Sequence, residues 1–270
     1  MNDTTRLLQI YSPGEARAIY RMVMEVRFGL SQTDLLLGKD KELSAHDLEE
    51  KEKIIKRLLS GEPVQYVLGQ ATFCGRIFSV APGVLIPRPE TEELAELVLS
   101  TLPSSSRICD IGTGSGCLAI TFALEGHSVT AMDLSEKALR QAKGNAEKLG
   151  AKVDFRLEDI LHPSDSNEQW DALVSNPPYI CLSESKEMKK NVLEYEPHEA
   201  LFVPDEDPLL FYQSIAAYGR KHLRGGGYLF FEINRAYGSQ IQNLLKEYNY
   251  QGITLRKDLF GNPRMIEAKK

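Results

Sequence analysis

The chain has 270 residues, 42% of them hydrophobic and 26% charged, which is enough apolar material for one large α/β domain or two unequal ones and excludes a disordered or collagen-like polymer. With 32 Lys and Arg against 38 Asp and Glu the formal charge is −6, so the molecule as a whole offers no attraction to nucleic acid or to an anionic membrane. No apolar run approaches the roughly 18 residues of a membrane span, and the amino-terminal MNDTTRLLQIYSPGEAR has no apolar core behind basic residues, so a cytoplasmic protein is expected.

Residues 1–62 predict a small helical bundle. Ile19, Met22, Val23 and Val26 recur at helical spacing, as do Leu48, Ile54, Ile55, Leu58 and Leu59. The last of these helices has a capping start at Ser44-Ala45-His46-Asp47 and a stop at Gly61, with Pro63 just after. The first 75 residues hold ten basic and eleven acidic side chains, so the bundle is not a basic nucleic-acid reader; recognition of a protein substrate is its expected role. Over 63–85, VQYVLGQATFCGRIFSV reads as a two-stranded hairpin around Gly75 that links the bundle to a second domain, 86–270. There, Pro87 and Pro89 hold the chain extended ahead of a helix beginning near Glu90. From Arg107 onward RICDI, SVTAM, KVDFRL, DALVSN and GYLFFEI are strands, alternating with helices at 116–124, 136–149, 208–223 and 237–247. The closing GITLRKDLFGNPRMIEA reads as two more strands around a turn. The expected fold is α/β: a doubly wound, mostly parallel, seven-stranded Rossmann-like sheet with a small N-terminal helical bundle and a linking β-hairpin.

The glycine-rich run Asp110-Ile111-Gly112-Thr113-Gly114-Ser115-Gly116 closes one strand and opens a helix, where bare backbone can approach a ligand at the edge of an open sheet. A dinucleotide fingerprint would have its third glycine one residue later, where Cys117 stands; no Lys follows as in a phosphate loop, and Ser115 is not at the centre of a nucleophile elbow. Asp133 closes the next strand 21 residues beyond Gly112, where a carboxylate can accept both hydroxyls of a ribose; on its own it could equally cap the following helix. Glu158-Asp159-Ile160 closes the third strand, with an acidic acceptor for an exocyclic amine and an apolar side chain for a ring. Asn176-Pro177-Pro178-Tyr179 closes the fourth. Its prolines remove two N–H groups and stiffen the backbone, making the Asn side chain and the Pro177 carbonyl rigid acceptors for one planar NH₂, with Tyr179 placed to stack on it. Such acceptors favour a pyramidal nitrogen whose lone pair is aimed at a methyl donor. The five histidines, His46, His127, His162, His198 and His222, show no zinc or iron spacing, and no metal is expected. Cys74, Cys109, Cys117 and Cys181 form no C-x-x-C pair, which fits a reducing compartment.

From about Glu62 to the carboxyl end the chain resembles the release factor glutamine methyltransferases, within the class I S-adenosylmethionine-dependent methyltransferases. The likeness rests on GEPVQYVLGQATFCGRIFSV, VLIPRPETEEL with Arg88, Glu90 and Thr91, DIGTGSGCLAI, VSNPPYI, EYEPHEALF around Glu196-Pro197, and KDLFGNPR. It implies S-adenosylmethionine as cofactor, contacted by Ile111, Gly112, Thr113, Gly114, Ser115, Asp133, Asp159, Ile160 and Asn176. It further implies that Asn176, Pro177, Pro178 and Tyr179 hold a glutamine, with Asn176, Pro177 and Tyr179 as the catalytic segment. The implied reaction is methylation of the side-chain amide (glutamine-N5) in the Gly-Gly-Gln motif of class I peptide chain release factors. Two rivals stay open: a glutamine methyltransferase of a ribosomal protein, and, more distant, an adenine-N6 methyltransferase of nucleic acid. The second would need a flipped base and a basic groove, and direct nucleic-acid binding is not expected.

Overall fold

The computed structural model describes residues 3–270, which form two compact units: one is the chain up to Gln70 together with Lys189–Tyr195, the other Ala71–Met188 with Glu196–Lys270. In the first, the helices ahead of the hairpin are α1 (Asp3–Leu7), α2 (Pro13–Phe28), α3 (Gln32–Leu36), α4 (Ala45–Leu59) and α5 (Val64–Leu68). Helix α2 begins where the Ser12 hydroxyl accepts the Glu15 N–H and the Glu15 carboxylate accepts the Ser12 N–H, with Pro13 at the first helical position. Ser44 caps α4 through the Asp47 N–H. The stripes so aligned bury Leu7, Val23, Met24, Ile54, Ile55 and Leu58 in one apolar core. Met22, Val26 and Leu48, which share the helical spacing, fall on the outer edge of their stripes and are exposed.

The hairpin is shorter than its sequence suggests. Val64–Leu68 is a helical turn, because Val64 and Val67 pack into the helical core on successive turns of α5 rather than alternating across a strand. Only β1 (Gln70–Phe73) and β2 (Arg76–Ser79) pair.

Beyond the hairpin the chain runs through α6 (Pro89–Thr101), β3 (Arg107–Ile111), α7 (Cys117–Leu124), β4 (Ser128–Asp133), α8 (Glu136–Leu149), β5 (Val153–Leu157) and β6 (Trp170–Ser175). It continues through β7 (Ile180–Cys181), α9 (Lys190–Tyr195), β8 (Phe202–Val203), α10 (Leu210–His222), β9 (Leu223–Glu232), α11 (Gly238–Glu247), β10 (Gln251–Lys257) and β11 (Pro263–Lys269). The seven-stranded sheet has the order β10-β11-β9-β6-β3-β4-β5, parallel from β9 to β5, with β11 and β10 added antiparallel at one edge. This is the doubly wound fold that the alternation of elements predicts.

Successive strand residues serve opposite faces. Ile108 and Phe230 join the core under α6, α7 and α8, whereas Cys109 and Phe231 join the core under α10 and α11. Cys109 and Cys117 are both buried, and all four cysteines are free thiols. The two-residue parallel bridge between β7 and β8 frames the loop that carries α9, and nothing in its sequence marks it as strand. Within the first unit, Lys189 pairs with Glu15 and the Tyr195 hydroxyl donates to the Ser60 carbonyl. Among the described residues no helix is long and apolar enough to cross a membrane.

Gly116 opens α7 with φ at 81°, and a Cβ built there would stand 2.9 Å from the Ile120 Cδ1 and 3.0 Å from the Ala142 Cβ. Left-handed backbone and overpacking between α7 and α8 both oppose a side chain. Gly116→Ala is expected to lower the unfolding free energy by about 2–4 kcal/mol. Urea denaturation followed by circular dichroism checks this; an unchanged midpoint would contradict it.

Candidate active site

The parallel strands β4, β3, β6 and β9 end level with one another. Ile111 pairs with Met132 on one side and Ser175 on the other, and Ser175 pairs with Phe231. The next residue of each strand is therefore brought to the same edge: Gly112, Asp133, Asn176 and Glu232. A cavity of about 410 Å³ opens there. Ile111, Gly112, Thr113, Gly114, Ser115, Asp133, Asp159, Ile160 and Asn176, all expected to contact one ligand, line it together with Pro177 and Pro178. Tyr179 is not part of the lining.

The glycine loop turns because Gly112 and Gly114 take φ of 76° and 56°, and a Cβ at either would meet nothing within 4 Å among the described residues beyond its own chain neighbours. The Asp133 carboxylate fixes this loop. Its Oδ2 accepts the Gly114 N–H at 2.8 Å and its Oδ1 accepts the Ser135 N–H at 2.9 Å. Each oxygen keeps lone-pair capacity, which suits a pair of neighbouring hydroxyls. Burial pushes the Asp133 carboxyl up in pKa, while the two backbone donors hold it down. Behind the loop, the wholly buried Asp110 accepts the Thr113 hydroxyl at 2.7 Å through Oδ2, and its Oδ1 has no hydrogen-bond partner among the described residues. Burial pushes this carboxyl up to about 7. Asp159 differs: its bond with His162 and the Leu161 N–H keep its pKa low, and it stands beside Ile160 at the cavity wall.

Asn176 is held from one side. Its Nδ2 donates to the Thr91 hydroxyl at 3.1 Å, and that hydroxyl donates to the Glu232 Oε2 at 2.7 Å. The Asn176 Oδ1 has no protein donor among the described residues. The other oxygen of Glu232 accepts the Tyr179 hydroxyl at 3.1 Å, which turns the tyrosine toward the end of β9. Glu232 is 1% exposed; burial raises its pKa, opposed by the Thr91 hydroxyl, the Arg264 charge and the Tyr179 hydroxyl. The buried Glu196 accepts Arg88 Nη2 at 2.5 Å and the Ile86 N–H at 3.3 Å, so the Ile86–Arg88 stretch and the Glu196–Pro197 stretch are bound as one.

Thr91 is marked only by the family-like stretch VLIPRPETEEL, and Glu232 carries no local motif of its own. The one available sign of Glu232 is an acidic residue closing the apolar strand GYLFFE at the same sheet edge as Asp133. Ligand-type side chains also meet at His46, Asp47 and Glu50, but Asp47 is engaged there by Ser44 at the start of α4.

A family model described as the methyltransferase small domain matches residues 79–195, and one described as the PrmC N-terminal domain matches residues 2–69. The release factor glutamine methyltransferase of Bacteroides thetaiotaomicron is 47% identical over 267 residues, covering 98% of this chain and 96% of that protein. The protein of the same name from Flavobacterium psychrophilum is 43% identical, covering 97% and 94%. A 16S rRNA methyltransferase of T. Thermophilus, solved in complex with AdoMet and guanosine, shares the fold at a TM-score of 0.56 and 18% identity, over 74% of this chain and 49% of that one.

Asp110 gives the stability a definite pH dependence. Its folded value of about 7 lies above the unfolded value of about 3.9, so the folded chain holds the proton more tightly. The stabilisation is complete below about pH 4 and is lost as pH rises through about 7, an effect on the order of 2–4 kcal/mol. Chemical denaturation across pH 4 to 8 is expected to show a fall in stability that Asp110→Asn makes shallower; an equally steep fall in the variant would exclude Asp110 as its source.

Proposed function

The chain belongs to the release factor glutamine methyltransferases, and on that basis we propose that Asn176, Pro177 and Pro178 hold the glutamine amide beside a cofactor seated on the Gly112–Ser115 loop and Asp133. The enzyme transfers a methyl group from S-adenosylmethionine to the side-chain amide nitrogen of glutamine. The acceptor is the glutamine of the Gly-Gly-Gln motif in class I peptide chain release factors, met in the cytoplasm, and the N-terminal helical unit recognises that partner. The single observation that carries the site assignment is Asn176. Its nitrogen is engaged by Thr91, its oxygen has no protein donor among the described residues, and it borders a cavity whose lining also holds the bare glycine backbone and a carboxylate with lone pairs to spare.

The residues fit the cofactor. Gly112 and Gly114 leave open space where side chains would stand, and Asp133 accepts the two ribose hydroxyls. Asp159 accepts the adenine amine and Ile160 packs on its ring. Bound there, S-adenosylmethionine supplies a methyl group on a cationic sulfur. The Asn176 Oδ1 and the Pro177 carbonyl take the two hydrogens of the glutamine NH₂, which orients the nitrogen and opposes delocalisation of its lone pair into the amide. The methylated amide is cationic and gives its extra proton to water, so no histidine is required.

Transfer of a labelled methyl group to an intact release factor, with ribosomal proteins and DNA offered separately, tests the substrate. Label is expected in the release factor and absent when its Gly-Gly-Gln glutamine is replaced; label in DNA alone would overturn the reading. Asp133→Ala is expected to weaken cofactor binding by about 1.5–3 kcal/mol, measured by calorimetry. Asn176→Ala should cut kcat on the order of 10²–10³ with a smaller effect on cofactor affinity. Asn176→Asp should also bind and fail to turn over, since a negative charge added beside the sulfonium stabilises the ground state more than the charge-dispersed transition state. Wild-type single-turnover rates in both Asn176 variants would reduce Asn-Pro-Pro-Tyr to a stiff turn.

A further inference from the structure

A primary amide can sit either way round in a site of fixed shape, because its oxygen and nitrogen ends are nearly the same size. Only one orientation of Asn176 serves as acceptor for a glutamine NH₂. We propose that Glu232, acting through the Thr91 hydroxyl, is the positioning residue that fixes Asn176 with its oxygen toward the cavity. The inference rests on the reading of Asn176 as the amide's acceptor and extends it to two residues that do not touch the substrate.

Counting hydrogens leaves Asn176 one orientation. Thr91 is 3% exposed and its hydroxyl has a single hydrogen, which is committed to the Glu232 Oε2 at 2.7 Å. The Thr91 oxygen can then only accept, and it does so from the Asn176 Nδ2 at 3.1 Å. A flipped Asn176 would set its Oδ1 against an oxygen lone pair and leave its donors facing the substrate's own donors. The carboxylate is essential to this polarity because, ionised, it accepts and never donates. An amide in its place could donate to Thr91, free the hydroxyl hydrogen for the Asn176 oxygen, and permit the wrong orientation.

The same carboxylate grips the other end of the segment. Glu232 Oε1 accepts the Tyr179 hydroxyl at 3.1 Å, so one side chain ties both Asn176 and Tyr179 to the end of β9. Two further bonds keep that anchor in place: the Tyr212 hydroxyl donates to the Glu232 carbonyl at 3.2 Å, and the Asn234 Nδ2 donates to the Tyr179 carbonyl at 3.1 Å. Glu232 makes no ion pair within 4.0 Å among the described residues, and burying a carboxylate on hydroxyl donors alone is costly. A purely structural bond between β9 and α6 would be met more cheaply by a neutral pair.

Thr91→Val removes the hydroxyl at nearly constant shape, Thr91→Ser retains it, and Glu232→Gln keeps the shape while mixing donor with acceptor. Full-length variants are assayed for kcat and KM on an intact release factor, with cofactor affinity measured separately in each. Thr91→Val and Glu232→Gln are expected to lose about tenfold or more in kcat while cofactor affinity stays within about threefold, and Thr91→Ser is expected to stay near wild type. Wild-type kcat in Thr91→Val, with Asn176→Ala inactive, would overturn the orientation role and leave the site assignment standing. An equal loss in Thr91→Ser and Thr91→Val would assign Thr91 to packing instead. If Thr91→Val does not fold, Glu232→Gln decides: unimpaired turnover there overturns the proposal. Full activity of Asn176→Ala would overturn the reading beneath it.

Discussion

Parallel pairing of β4, β3, β6 and β9 is the constraint on which the active site depends. In a parallel ladder the register of two neighbours fixes which residues leave the sheet together, and β3 is paired on both sides. Asp133, Gly112, Asn176 and Glu232 come from four separate stretches of sequence, yet each is the residue at or just beyond the last rung of its strand. A slip of one position in any of these ladders would send alternate side chains to the wrong face and move the strand-end group out of the row. The apolar alternation that prevents such a slip, with Phe230 in one core and Phe231 in the other, thereby also sets the geometry of the chemistry.

The groups along this edge keep their hydrogen-bond capacity at some cost. Burial raises the pKa of Asp110, Asp133 and Glu232 alike. Asp133 and Glu232 are compensated by backbone N–H groups and hydroxyls rather than by a close cation, and such donors leave lone pairs or orientation available for use. By contrast Glu196 spends one carboxylate oxygen on the Arg88 guanidinium and the other on a backbone N–H, which makes it a brace for the wall of the cavity.

How much of this is legible in sequence follows from how local each signal is. The glycine loop and Asn-Pro-Pro are each contiguous runs, Asp133 closes the first strand after the loop, and the residue types themselves force the backbone to turn or stiffen, so fold, cavity and lining could be read directly. Thr91 stands 85 positions from Asn176 and 141 from Glu232, and no spacing rule connects them. Tyr179 illustrates the same limit. Its sequence context suggests a ring stacked on the ligand, and no local signal marks the buried acceptor from β9 that engages its hydroxyl. Val64–Leu68 has the composition of a strand, and the helical core into which Val64 and Val67 pack overrides that preference. Arg88 and Glu196 stand out only through the family likeness, since their pairing spans 108 positions.

Lys189–Tyr195 belongs to the helical unit although the chain reaches it only after four strands of the main sheet and part of the active site. Lys189 meets Glu15 across 174 positions, and Tyr195 meets Ser60 across 135. During synthesis the first five helices emerge early and can gather their apolar stripes, but the unit is complete only once residue 195 has left the ribosome. Closing so long a loop carries an entropic cost that is recovered late, after the intervening sheet has shortened the path between its ends. The amino-terminal unit is thus the first to start folding and, by this one insertion, among the last to finish.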